Sequence, residues 1–196
     1  GTSGWHYDHW KAVFYPRHMA DDELLGHYAG QLNTVEINNS FYQLPAAETL
    51  LGWKESVPEG FLFAVKASRY ITHMKKLKDS KNALDNFLER IDVLGDKLGP
   101  ILFQLPPRWG FNPDRLEAFL QSLPAGYRYA FELRDHSWQN PEAYKILQNF
   151  STAFCIYDLG GYQSSKTTTA QFVYVRLHGP GAPYEGSYPP SALAGW

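Results

Sequence analysis

Three side chains in the second half of this sequence carry the chemistry to move protons: Glu132, Asp158 and His178. Two carboxylates and an imidazole brought together by consecutive strands suffice for general acid–base work. The same trio offers donor types that hold a divalent metal. Lys66, Arg134 and Arg176 are suited to an anion, since a guanidinium presents forked donors that match phosphate or carboxylate. Glu36, Asn38 and Gln104 add polar contacts for a substrate, and Trp5 and Tyr184 add aromatic ones. Three acids (Glu36, Glu132, Asp158) stand against three bases, so the bland reading is a self-neutralising ion-pair network. Desolvating an ion costs several kcal/mol, which makes buried pairs inefficient stabilisers and favours a polar ligand. Arg134 and Arg176 next to the proposed metal donors oppose a cation, and no metal ligands are assigned.

These residues sit at matching places in a repeated pattern. Strand candidates are Thr34–Phe41, Leu62–Ser68, Ile101–Pro106, Arg128–Arg134, Thr152–Asp158 and Phe172–Gly179, with Gly1–Trp5 reading as the tail of an earlier strand. In five of them apolar residues alternate with others: Val35 and Ile37 with Glu36 and Asn38, Phe131 and Leu133 with Ala130, Glu132 and Arg134. Such strands have one face on the helices and another that turns polar towards the C-terminal end. The Thr152–Asp158 strand alternates less cleanly, but it too ends on an acid. Helical spacing joins Leu24, Leu25, Tyr28 and Leu32, and again Leu84, Phe87, Leu88, Ile91 and Leu94. Two more helices start at Asn112-Pro113 and Asn140-Pro141, where Asn suits the N-cap and Pro the first turn. Strand–helix alternation calls for parallel strands with helical crossovers. One-sided strands favour a TIM-like (β/α) barrel over an open doubly wound sheet, whose central strands are apolar on both faces. Barrel active sites lie at the C-terminal ends of the strands. Seven roughly parallel strands are therefore expected, with Glu36, Lys66, Gln104, Glu132, Asp158 and Arg176 or His178 opening onto one cleft.

Composition narrows the class. The 196 residues, 44% hydrophobic and 16% aromatic, suffice for one domain, and no linker, low-complexity segment or short repeat interrupts them. The net charge of −2 argues against a generic nucleic-acid scaffold. Cys155, alone in its type, reads as a small buried hydrophobe. No run approaches the roughly 18 apolar residues of a membrane span, and no secretory leader is visible, so a cytoplasmic setting is expected. The chain opens at Gly1 without a Met, and residues are expected to precede it. The loop from His178 to Tyr188 carries glycines that would let backbone approach a ligand. A Walker loop, GxSxG, HExxH and complete GxGxxG are all missing, which disfavours common NTPases, α/β-hydrolases, zincins and Rossmann dehydrogenases.

As strings, GTSGW (1–5), FYP (14–16), NTVEINNSFYQLP (33–45), FAVKAS (63–68), ITH (71–73), LGDKLGPILFQLPP (94–107), YAFELRDHSW (129–138), FVYVRLHG (172–179) and YEGSY (184–188) resemble the YecE-like family, also called domain of unknown function 72. The resemblance implies a TIM-like barrel and supplies no activity or cofactor. It also implies a further helix and an eighth strand, so the barrel is expected to be incomplete at its C-terminal end.

The leading expectation is an enzyme acting on a small anionic substrate, held by Arg134, Arg176 and Lys66, with Glu132, Asp158 or His178 moving protons. The alternatives are a nucleic-acid-binding or repair-like barrel, with Trp5 and its neighbours stacking on bases, and a non-catalytic ligand-binding barrel. Replacing either Arg by Lys is expected to weaken anion binding. If Glu132 and Asp158 serve function, removing either charge should leave the melting temperature unchanged or raised. If they belong to a structural network, it should fall.

Overall fold

The computed structural model describes residues 1–196. They form two compact units, Gly1–Leu102 and Phe103–Trp196. The division falls inside a strand, which is why no linker composition marks it.

In the first unit, helix α1 (Leu24–Ala29) precedes strand β1 (Thr34–Ile37), helix α2 (Ala47–Glu55) precedes β2 (Leu62–Lys66), and α3 (Lys81–Ile91) precedes β3 (Leu98–Leu105). β1 pairs with β2 and β2 with β3, both in parallel, with an irregularity between Phe63 and Val65. The expected leading strand is reduced to one parallel bridge, Thr2 to Val35, in which Glu36 N–H donates to Thr2 O at 2.9 Å. Val35, Ile37, Phe63 and Val65 are buried, as their alternation requires. β1 ends at Ile37 and not at Phe41, because the chain turns into a 3₁₀ segment, Asn39–Phe41. There Ser40 Oγ donates to Ile37 O at 3.0 Å and to Lys66 O at 2.6 Å. Tyr70–Met74 form a π-helical turn.

The second unit begins with the last residues of β3, Phe103–Leu105. Helix α4 (Pro113–Ser122), strand β4 (Tyr129–Leu133), helix α5 (Pro141–Asn149), strands β5 (Ala153–Leu159), β6 (Tyr162–Gln163) and β7 (Tyr174–Leu177), and helix α6 (Pro190–Leu193) follow. Both Asn-Pro starts are realised: Asn112 Oδ1 accepts from Arg115 N–H at 2.9 Å, and Asn140 Oδ1 from Ala143 N–H at 3.0 Å. β5 pairs in parallel with β4 and with β7. It also pairs with β6, which is antiparallel and departs from the expected all-parallel order. The core on one face of β4 is aromatic, with Phe131 stacked on Phe103 at 5.1 Å and packed against Phe119. Removing a ring like Phe131, which is 0% exposed, from water is worth about 1.5–3 kcal/mol.

Candidate functional site

Register decides which polar side chains of the second unit meet. Ala130 lies opposite Ala153 and Phe131 opposite Phe154, while Cys155 lies opposite Tyr174 and Tyr157 opposite Arg176. Paired residues of neighbouring strands share a face, and successive residues alternate. One face therefore carries Glu132 and Arg134 from β4, Cys155 and Tyr157 from β5, and Arg176 and His178 from the end of β7. The other carries Phe131, Leu133, Phe154, Ile156 and Asp158. Glu132 and Arg176 thus lie on the face opposite the aromatic core, as the alternation predicts.

On that face Glu132 is the hub. It is 0% exposed, and each oxygen of its carboxylate takes a guanidinium: Arg134 Nε donates to Oε1 at 2.5 Å and Arg176 Nη1 to Oε2 at 2.5 Å. His178 Nε2 stands 3.7 Å from Oε2, an ion-pair separation longer than a hydrogen bond. Burial by itself would raise the carboxyl, but Arg176, His178 and Arg134 outweigh it and hold Glu132 far below the ordinary carboxylate range. Glu132 is therefore ionised at any pH the fold normally meets. Burial opposes the charge on Arg134, while Glu132 and Tyr184 reinforce it, with a net upward shift.

The loop after β7 completes the cluster. Gly179 has φ of 109°, and a Cβ there would lie 2.3 Å from Ala182 O and 2.6 Å from Glu185 O. Only glycine permits this close fold-back. Tyr184 N–H then donates to His178 O at 2.5 Å, the Tyr184 ring lies edge-on to His178 at 5.3 Å, and Tyr184 Oη accepts from Arg134 Nη2 at 3.2 Å. Tyr184 is itself 68% exposed, so the cluster runs from a buried carboxylate to the surface.

The expected trio does not assemble. Asp158 lies on the opposite face of β5 from Glu132 and His178, so the three cannot share a proton relay or a metal. The strand Thr152–Asp158 lacks the alternation that would have shown this. In its place Tyr157 faces the cluster, with Oη donating to Leu133 O at 3.1 Å. Its phenol is raised by burial first, then by Tyr162 and the Glu132 charge. The sequence offered no signal for Tyr157.

The remaining candidates belong to other elements. Gln104, buried, lies in β3 at the start of the second unit. Within the first unit, Glu36 is buried and shares the face of Ala64, Lys66 shares that of Leu102, and Lys66 Nζ stands 4.1 Å over the Phe41 ring. Asn38 caps the 3₁₀ segment through its backbone carbonyl, which accepts from Phe41 N–H at 3.0 Å. Trp5, expected as an aromatic contact for a ligand, is buried edge-on against Trp53 at 4.9 Å, and its carbonyl accepts from Tyr15 Oη. Within the first unit it packs against Trp53. Cys155 is buried as a thiol. No helix is long and apolar enough to cross a membrane.

Comparison with known proteins places this geometry in context. The family described as "Protein of unknown function DUF72" matches residues 1–196. The chain is 35% identical to the UPF0759 protein YecE of Escherichia coli K12 over 113 residues, 56% of this chain and 41% of that protein. It is 30% identical to the UPF0759 protein YunF of Bacillus subtilis over 166 residues, 78% of this chain and 56% of that protein. The chain thus spans less than two thirds of either relative. A crystal structure of a DUF72 family protein from Thermotoga maritima aligns with a TM-score of 0.82 at 31% identity, covering 91% of this chain and 73% of that one. A second, from Enterococcus faecalis, aligns with a TM-score of 0.75 at 22% identity over 87% and 77%, a likeness of fold alone.

Proposed function

The chain belongs to the DUF72 family, whose description supplies no chemistry, and from the geometry we propose that it binds a small anion, a phosphate or carboxylate group, at Arg134 beside Tyr184 and His178. The observation that carries this reading is the state of Arg134. Its Nε is fixed by Glu132 and its Nη2 by Tyr184, which leaves Nη1 to a ligand on a side chain 12% exposed. A guanidinium already held on two sides loses little further freedom when an anion arrives. Glu132, ionised and clamped, is a positioning residue for Arg134 and Arg176 and carries no proton in a reaction. If the protein is an enzyme, His178 is the group left to transfer one. The strand–helix alternation and the solved relatives support reading the sheet as part of a TIM-like (β/α) barrel, with this cluster at the C-terminal ends of β4 and β7, where barrel active sites lie.

Inorganic phosphate and a thermal melt test the reading. A ligand that binds only the folded state at a hundredfold excess over its Kd adds about 2.7 kcal/mol, or about 5–11 °C for a chain of this length. Arg134→Lys should lose most of that rise, because an ammonium keeps the charge but not the fork. An equal phosphate response in parent and variant would reject the proposal.

A further inference from the structure

Among the exposed aromatic residues of the second unit, Tyr184 is the one held against its own conformational preference. Its backbone stands at φ of 65°, in the left-handed region where a bulky residue is an outlier and where glycine or asparagine would sit at little cost. Burial does not offset this strain. The residue is 68% exposed, so its ring gains little from leaving water.

The ring is nevertheless fixed. Tyr184 N–H donates to His178 O at 2.5 Å, the ring lies edge-on to His178 at 5.3 Å, and Oη accepts from Arg134 Nη2 at 3.2 Å. The loop that carries it is braced from the turn between β5 and β6. There Gly160 N–H donates to Gly179 O at 3.1 Å, and a Cβ on Gly160 would stand 3.0 Å from Pro183 Cδ. An exposed tyrosine is ordinary by itself. One that is strained, braced and hydrogen-bonded to the guanidinium of an anion site has the marks of a functional position. Nη1 and Nη2 are the two terminal nitrogens of one planar group, so an anion on Nη1 stands beside the hydroxyl end of Tyr184, with the group it carries in reach of the ring.

We infer that the anion bound at Arg134 is carried on an aromatic ring, as an aryl phosphate or aryl carboxylate, and that this ring packs against Tyr184; this rests on the anion site proposed for Arg134 and narrows its ligand. Aromatic pairs attract one another beyond the area they bury, with centroids about 4.5–7 Å apart. A ring already held in place loses little further freedom when its partner arrives.

Two pairs of probes isolate the ring from the anion: phenyl phosphate against methyl phosphate, and benzoate against acetate, each titrated into the protein by calorimetry. In at least one pair the aromatic member should bind about tenfold tighter, tenfold being about 1.4 kcal/mol, and in Tyr184→Ala that advantage should fall to about twofold or less. Equal affinities within both pairs overturn the aryl ligand, and so does an advantage that persists undiminished in Tyr184→Ala. Saturable binding of methyl phosphate or acetate without a gain from the ring leaves the anion site standing and removes the aryl ligand alone, whereas no binding by any of the four probes removes both. Should Tyr184→Ala fail to fold, the two comparisons on the parent still decide.

Discussion

Glu132 and Asp158 are both buried acids at the ends of neighbouring strands, yet neutralising them should have opposite effects on stability. In Glu132→Gln the side chain keeps its shape, but two guanidiniums now face an amide. Glu132 is 0% exposed, and the partner side chains are 5% (Arg176) and 12% (Arg134) exposed, so little water is at hand to take over. Breaking a buried pair from one side costs about 3–5 kcal/mol. At about 2–4 °C per kcal/mol for a chain of this length, the melting temperature should fall by about 6–20 °C. In Asp158→Asn the charge removed is buried and has no cation in ion-pair contact, so the variant should melt with the parent or above it. The pH dependence carries a further signature. The folded Glu132 carboxyl is held far below its unfolded value of about 4.3, so its contribution is complete above that value. It is lost progressively as the pH falls below about 4.3, towards the depressed folded value. The parent should therefore lose stability more steeply than Glu132→Gln on acidification below pH about 4. Scanning calorimetry of the three proteins between neutral and acidic pH measures both effects. A Glu132→Gln variant that melts at or above the parent would refute the argument, because Glu132 would then not be the hub of the ion pairs.

Further outcomes follow from single contacts. Gly179→Ala puts a Cβ against Ala182 O and Glu185 O, so the fold-back of the loop should open and Tyr184 should detach from Arg134; a loss of the phosphate-induced rise in melting temperature reports this. Asn112→Ala and Asn140→Ala each remove one N-cap hydrogen bond, about 1 kcal/mol, and each should lower the melting temperature by about 2–4 °C without changing the phosphate response. Cys155, fully buried, should react with a thiol reagent only at the rate of unfolding; rapid labelling of the native protein would contradict the placement of β5.

Much of the fold was legible because local rules suffice for it. Asn112-Pro113 and Asn140-Pro141 announce helix starts through their own side chains and rings, and the structure uses both. The alternation in Val35–Asn38 and Phe131–Arg134 told which residues face the core, since period-two burial needs no tertiary information. Other elements carried weaker marks. Helix α2 buries only Leu50, so no apolar stripe revealed it. β1 was read four residues too long because Asn38–Phe41 looks strand-like, while the side chain of Ser40 binds backbone carbonyls and turns the chain.

From the sequence alone came the α/β class, the helix caps, the strand faces where apolar and polar residues alternate, the family, and the candidates Glu132, Arg134, Arg176, His178 and Tyr184. Tertiary structure decided how they are wired. Thr152–Asp158 is apolar through most of its length, so its parity could not be read, and only its register with β4 and β7 turns Tyr157 towards Glu132 and Asp158 away from it. Ionisation was equally out of reach: a carboxylate held by two guanidiniums and one that meets an amide and a phenol are the same letter class in sequence. What separates Glu132 from Asp158 is the charge and desolvation that neighbours distant in the chain impose.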